Sequence, residues 1–297
     1  MTMDHEPPLT HNQGGERSVQ TGDGMSEQNL RENPMGPPRI NERNLNVESE
    51  YEYGSRAGFW RLFRLFNDHK MKFTLYAVAQ AVEQNPSVVK RCVDMGHDVA
   101  SHAYRWLDYH DFSIEKEKEY IRKAITSLKS LSGYAPKGWY YGRNSAHSRT
   151  LVPQVYEEMG EELVWASDTY ADDIPYWVDQ PTERDSSSPK GLLMVPYSYD
   201  CNDFKFHVVG SGFSDPTGFY DHIKNAFDVL YEEGEKGMPK MMTIGLHCRI
   251  IGRPGRLGAL KKFVEEIEKK EGVWVATRTE IAEAFKKEYP YQKGKLA

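Results

Sequence analysis

The sequence predicts an α/β fold, a (β/α) barrel of fewer than eight strands preceded by an irregular N-terminal arm. Three observations carry this expectation. Short apolar runs alternate with amphipathic helical stretches from Ala57 to Lys287, the pattern of a parallel sheet, open or closed. Six or seven such units fit within 297 residues, a length at which α/β barrels often form one domain. Residues 1–40, in contrast, hold ten Gly or Pro, and every Phe, Trp and Tyr lies between Tyr51 and Tyr291. The expected division is an arm over residues 1–43 and a barrel over residues 44–290.

Each element has its own signal. Ala57–Asn67 (AGFWRLFRLFN) places apolar residues at helical spacing, and Met71–Ala79 (MKFTLYAVA) reads as a buried strand. Pro86 suits the first turn of a helix through Met95, and Gly96 ends it. His97–His102 (HDVASH) is a short strand. Ser113 is a candidate N-cap for a helix to about Ser132, stopped by Gly133. The cycle then repeats. Strands are expected at Lys137–Tyr141, Glu162–Asp168, Leu192–Ser198, Met241–Cys248 and Val273–Arg278. Helices are expected at Ser148–Gly160, Pro216–Glu233, Pro254–Lys270 and in a last stretch to Lys287.

Composition removes several classes of function. Lys plus Arg is 38 against 44 acids, a formal charge of −6, which argues against nucleic acid or an anionic membrane as partner. No run approaches the ~18 apolar residues that a membrane span needs. The start MTMDHEPPLT has neither the basic nor the apolar region of a secretory signal. Cys92, Cys201 and Cys248 are odd in number and lack metal spacing, as expected for a reducing, cytoplasmic compartment.

Barrel enzymes place their chemistry just beyond the C-terminal ends of strands. Four predicted strand ends carry ionisable groups there: His102, Arg143, Asp168 and His247, the last followed by Arg249. Each has a plainer reading, as a structural hydrogen-bonder or a turn cap. Their joint position at one rim is the stronger signal. Zinc is the metal to weigh at such a rim, but the spacing is poor for it. Arg105 and Trp106 stand three and four residues after His102, and strand alternation sends His97 and His102 to opposite faces.

The motif order GHDVASHAYRW (Gly96–Trp106), GWYYGR (Gly138–Arg143), SDTYADDIPYW (Ser167–Trp177) and IGLHCRIIGRPGR (Ile244–Arg256) resembles the polysaccharide deacetylase superfamily. Together with NLNVESEYEYGSRAGFW (Asn44–Trp60) and VWVATR (Val273–Arg278), it is most similar to the branch of metal-independent allantoinases, over roughly residues 44–285. Metal-dependent members carry two His four residues apart. Here His102 matches the first, and Trp106 takes the place of the second. The resemblance implies a distorted (β/α) barrel of the polysaccharide deacetylase type, a cytosolic homo-oligomer (a tetramer), no cofactor or metal, and opening of the hydantoin ring of allantoin to allantoate. One departure concerns the first motif. The superfamily has acids there, and this chain reads THNQGGE (Thr10–Glu16), with Asn12 and Gln13 at the acidic places and little upstream to form a buried first strand.

Ring opening needs an activated water, an oxyanion stabiliser and an acid for the leaving nitrogen. His102 and His247 are the candidate acid and base. Asp168 is a candidate to orient one of them. Arg143 or Arg249 would hold the oxyanion or a product carboxylate. Glu48 and Glu52, in a loop (NVESEYEYG), are alternative bases, with a solvated acidic loop as their plainer reading. Trp106, Tyr140 and Tyr170 would wall a small planar substrate. Two alternatives keep the fold: an N-acetyl-sugar deacetylase acting on chitin or peptidoglycan, and a catalytically dead paralogue that has lost the first-motif acids.

Overall fold

A computed structural model describes residues 45–180, 190–208, 210 and 212–293. The predicted arm, with Asn12 and Gln13, lies outside the described residues. Six strands form one sheet: β1 (Thr74–Ala77), β2 (Asp98–Ser101), β3 (Gly138–Trp139), β4 (Trp165–Ala166), β5 (Tyr176–Asp179) and β6 (Gly191–Met194). Their spatial order is β1-β2-β3-β4-β6-β5. All neighbours are parallel except β5 and β6, which pair antiparallel with Trp177 opposite Leu193. The helices are α1 (Leu45–Tyr53), α2 (Phe59–Asp68), α3 (Ala79–Gln84), α4 (Pro86–Asp94), α5 (Ile114–Ser132), α6 (Ser148–Glu158), α7 (Pro216–Glu235), α8 (Pro254–Ile267) and α9 (Arg278–Glu288).

The expected caps are in place. The Ser113 side chain accepts the Lys116 N–H at 3.2 Å, and Gly133 adopts φ +87° at the end of α5. Pro86, Pro216 and Pro254 each open a helix, where a missing N–H leaves nothing unpaired. Apolar faces of α3 to α6 pack on β1 to β3 through Val89, Cys92, Val99, Ile121, Ile125, Leu128, Trp139 and Tyr156. A second cluster joins α2, α7 and α8 through Leu62, Leu65, Phe219, Ile223, Leu260 and Phe263.

Four expectations need correction. The stretch read as a loop around Glu48 and Glu52 is α1, which continues through a π-helical turn (Gly54–Gly58) into α2. Strand β5 was not expected: Pro175 precedes it, and a proline is tolerated there because the strand lies at the sheet edge. Residues 241–248 and 273–278 are not ladder strands. The N–H groups of Met241, Thr243, Gly245 and His247 do bond, but to the Asp173 carbonyl, Ser198 Oγ, the Cys201 carbonyl and Asp203 Oδ2. These partners belong to turns, and only the single bridge Asn202–Gly245 forms. The expected fold class holds all the same: this is a mixed α/β fold on a parallel sheet, which is open among the described residues.

Candidate active site

A cavity of about 950 Å³ opens at the C-terminal ends of β2 and β3, lined by His102, Trp106, Tyr140, Arg143, Tyr170, His247 and Arg249. Most of the predicted rim is thus brought together. Tyr51 of α1, Tyr76 of β1 and Tyr197 also line it. The π-helical turn seats α1 against the His247 segment. A Cβ on Gly58 would stand 1.9 Å from the Cys248 carbonyl oxygen, so only glycine permits this approach.

His102 follows β2 directly. Ala103 after it adopts φ +62°, a conformation that costs a non-glycine residue about 1–2 kcal/mol. It is held there by its N–H to Ser101 Oγ and its carbonyl to the Ala79 N–H. The His102 Nδ1 lies 3.0 Å from the Tyr140 carbonyl oxygen. A carbonyl can only accept, so Nδ1 carries the proton and Nε2 keeps its lone pair. Burial, then the charges of Arg143 and His247, push the His102 pKa down to about 3 against the raising effect of the Tyr140 bond. This imidazole is neutral near pH 7.

His247 is held differently. Its Nδ1 stands 2.6 Å from Asp203 Oδ1, and its main-chain N–H donates to Asp203 Oδ2 at 2.8 Å. The Ile251 N–H donates to the same oxygen at 3.1 Å. Asp203 is wholly buried at the start of a 3₁₀ turn (Asp203–His207), capped by the Asn202 side chain. Its own N–H donates to the Gly245 carbonyl, which clamps the turn to the His247 segment. A buried carboxylate on Nδ1–H fixes the tautomer, stabilises an imidazolium and leaves Nε2 for proton transfer.

Asp168 does not orient either histidine. Its carboxylate accepts the N–H groups of Tyr141 (3.0 Å) and Gly142 (2.8 Å), pinning the loop that carries Arg143. Burial raises its pKa to about 6, opposed by those two N–H bonds. The orienting role falls to Asp203, which the sequence reading missed. Glu52 faces Arg56 at 3.8 Å on the helix surface, the solvated reading of that acid. Glu48 lies in α1, but its side chain is outside the described residues.

The walls are aromatic. Tyr140 stacks on Tyr197 at 5.1 Å with planes 5° apart, and its hydroxyl is 3.2 Å from that of Tyr170. Trp106 lies under two guanidinium groups, Arg143 at 4.2 Å and Arg249 at 5.1 Å from the ring centre. The His247 ring is 6.4 Å from the same indole. A catalytic divalent metal of the deacetylase type does not fit this rim. The indole of Trp106 offers no ligand lone pair, so the free Nε2 of His102 lacks the second imidazole that such a metal takes. Among the described residues, the group with three metal-capable atoms within 4.8 Å is Asp200, Cys201 and His222, which includes neither histidine of the site.

The polysaccharide deacetylase family profile matches residues 44–164. A Schizosaccharomyces pombe protein classed by name among polysaccharide deacetylases is 47% identical over 289 residues, covering 96% of this chain and 90% of the relative. The chain belongs to the polysaccharide deacetylase family. The crystal structure of PuuE allantoinase superposes with a TM-score of 0.85 at 43% identity, covering 95% of this chain and 89% of that one. A Pseudomonas aeruginosa structure, also named for polysaccharide deacetylases, gives a TM-score of 0.84 at 44% identity, with 95% and 90% coverage. Members of this superfamily are hydrolases, which agrees with the enzyme reading of the site. No described helix is long and apolar enough to cross a membrane.

Proposed function

We propose that this chain hydrolyses a cyclic amide without a metal, opening the hydantoin ring of allantoin to allantoate. The observation that carries this reading is the intact His247–Asp203 pair facing a rim whose second metal-ligand position is the indole of Trp106. The 43% identity to an allantoinase over nearly the whole chain supports it. In this reading His247 Nε2 takes a proton from the attacking water and returns it to the ring nitrogen as the C–N bond breaks. Asp203 stabilises the imidazolium between those steps. His102 stays neutral, so its Nε2 serves as a hydrogen-bond acceptor that orients water or a substrate N–H. Tyr140, Tyr170 and Trp106 flank the flat ring.

The names of the relatives favour a second reading, an N-acetyl-sugar deacetylase. One experiment separates the two. Purified protein is assayed for allantoin ring opening and for acetate release from N-acetylglucosamine oligomers, before and after treatment with a strong chelator. The proposal expects allantoin turnover that the chelator leaves within twofold. Acetate release that the chelator abolishes and zinc restores would replace it with the deacetylase reading. No turnover of either substrate would leave the dead-paralogue reading standing.

A further inference from the structure

We infer that the rim beside Trp106 is a carboxylate-binding subsite anchored by Arg249. This residue is only 8% exposed, yet its Nη2 is buried with no hydrogen-bond partner. Its guanidinium lies over the Tyr51 ring at 4.7 Å and the Trp106 ring at 5.1 Å. Ring faces satisfy the charge but accept none of the in-plane N–H bonds. A buried donor left unmet is costly, and a guanidinium edge is shaped for a planar, two-oxygen anion. Arg143 brings a second cation over the same indole. The site's carboxylates are committed elsewhere: Asp203 to His247 and Ile251, and Asp168 to Tyr141 and Gly142. Glu50 faces Arg253 at 3.8 Å. Among the described residues, these carboxylates leave the buried Nη2 edge of Arg249 unmet beside His247.

The ligand class is a small monocarboxylate carrying a ureido or amide group, and its identity as reaction product rests on the proposed function. Hydrolysis breaks the ring C–N bond, puts the water hydroxyl on the carbonyl carbon and a proton on nitrogen. The acid formed then loses its proton to solvent. A neutral substrate thus becomes an anion next to Arg249, and the enzyme binds its product more tightly than an uncharged analogue.

The test is calorimetric titration of the full chain with N-carbamoylglycine and with its neutral partner N-carbamoylglycinamide. The acid is expected to bind at least about tenfold tighter, the advantage shrinking as NaCl rises, because a charge-assisted bidentate pair is the strong kind. Arg249→Gln should erase the preference and Arg249→Lys retain part of it. Equal binding of acid and amide to the wild-type chain overturns the subsite, whether or not a variant folds. So does a full preference in Arg249→Gln. The two proposals fail separately. Acid preference without allantoin turnover keeps the subsite and removes the ring-opening reaction, and turnover without acid preference does the reverse.

Discussion

Replacing Asp203 with Asn leaves an oxygen for the His247 ring but removes the charge that stabilises the imidazolium. In the same arrangement elsewhere, loss of that charge costs about 10⁴ in kcat. Asp203→Asn is expected to lower kcat for allantoin by about 10²–10⁴ with a small change in KM, whereas Asp168→Asn should act mainly through stability. Steady-state kinetics of both variants checks the assignment, and an Asp203→Asn enzyme with ordinary kcat would return Asp203 to a packing role. His102 supplies a pH signature. Its folded pKa of about 3 lies below the ordinary 6.5, so the unfolded chain binds more protons between those values. The stability it contributes is present above pH 6.5 and is lost as pH falls toward 3. Asp168, raised to about 6, runs the other way, losing stability as pH climbs from 4 to 6. His102→Gln should therefore flatten the fall of Tm between pH 6.5 and 4 relative to wild type, and a parallel fall in both would refute the buried neutral imidazole. At this scale the histidines and arginines were legible because they stand next to apolar runs. Asp203 was not, since it sits in a turn (NDFKF) with no periodic neighbour to mark it, and 44 residues separate it from the imidazole it holds.

Glu117 shows how one helix braces the site. It is fully buried on α5 and accepts hydroxyl bonds from Ser145 and Ser148, at the start of α6 and just beyond the loop that bears Arg143. Glu117→Ala would strand two buried hydroxyls and open a void, at an expected cost of about 2–4 kcal/mol. Urea denaturation measures this, and a loss below about 0.5 kcal/mol would mean that water replaces the carboxylate without penalty. Elements with local signals were readable in advance: the prolines at N1, the Ser113 cap and the Gly133 stop all act as expected. Elements defined by partners were not. Residues 241–248 have the composition of a strand, but their bonded neighbours are turns, so apolar periodicity alone could not distinguish a ladder from an extended segment. Likewise α1 carries too few apolar residues to announce a helix, and its place comes from packing of Tyr51 and the π-helical turn against Arg249 and Cys248.

At the scale of the molecule, the sheet of the described residues stops at β1, and the segment 241–247 lines the same cavity with its odd-numbered N–H groups bonded to residues 173–203. No described carbonyl accepts the N–H of Met242, Ile244 or Leu246. Leu75, Phe73, Ile244, Leu246, Val273 and Val275 line the same space. An extended segment whose alternate N–H groups meet no described acceptor, beside an apolar cavity, is open to exchange and to dye. Native-state hydrogen exchange should therefore find the amides of Met242, Ile244 and Leu246 at least about 10³-fold less protected than those of Leu193 and Val195 inside the sheet, the spread expected between local and near-global opening. An anilinonaphthalene dye should bind the native chain at neutral pH while near-ultraviolet circular dichroism still reports fixed packing, which separates an open groove from a molten state. Protection at residues 242–246 equal to that of β6, with no dye bound, would show that a further segment completes the sheet, and the barrel expected from the sequence would then be closed.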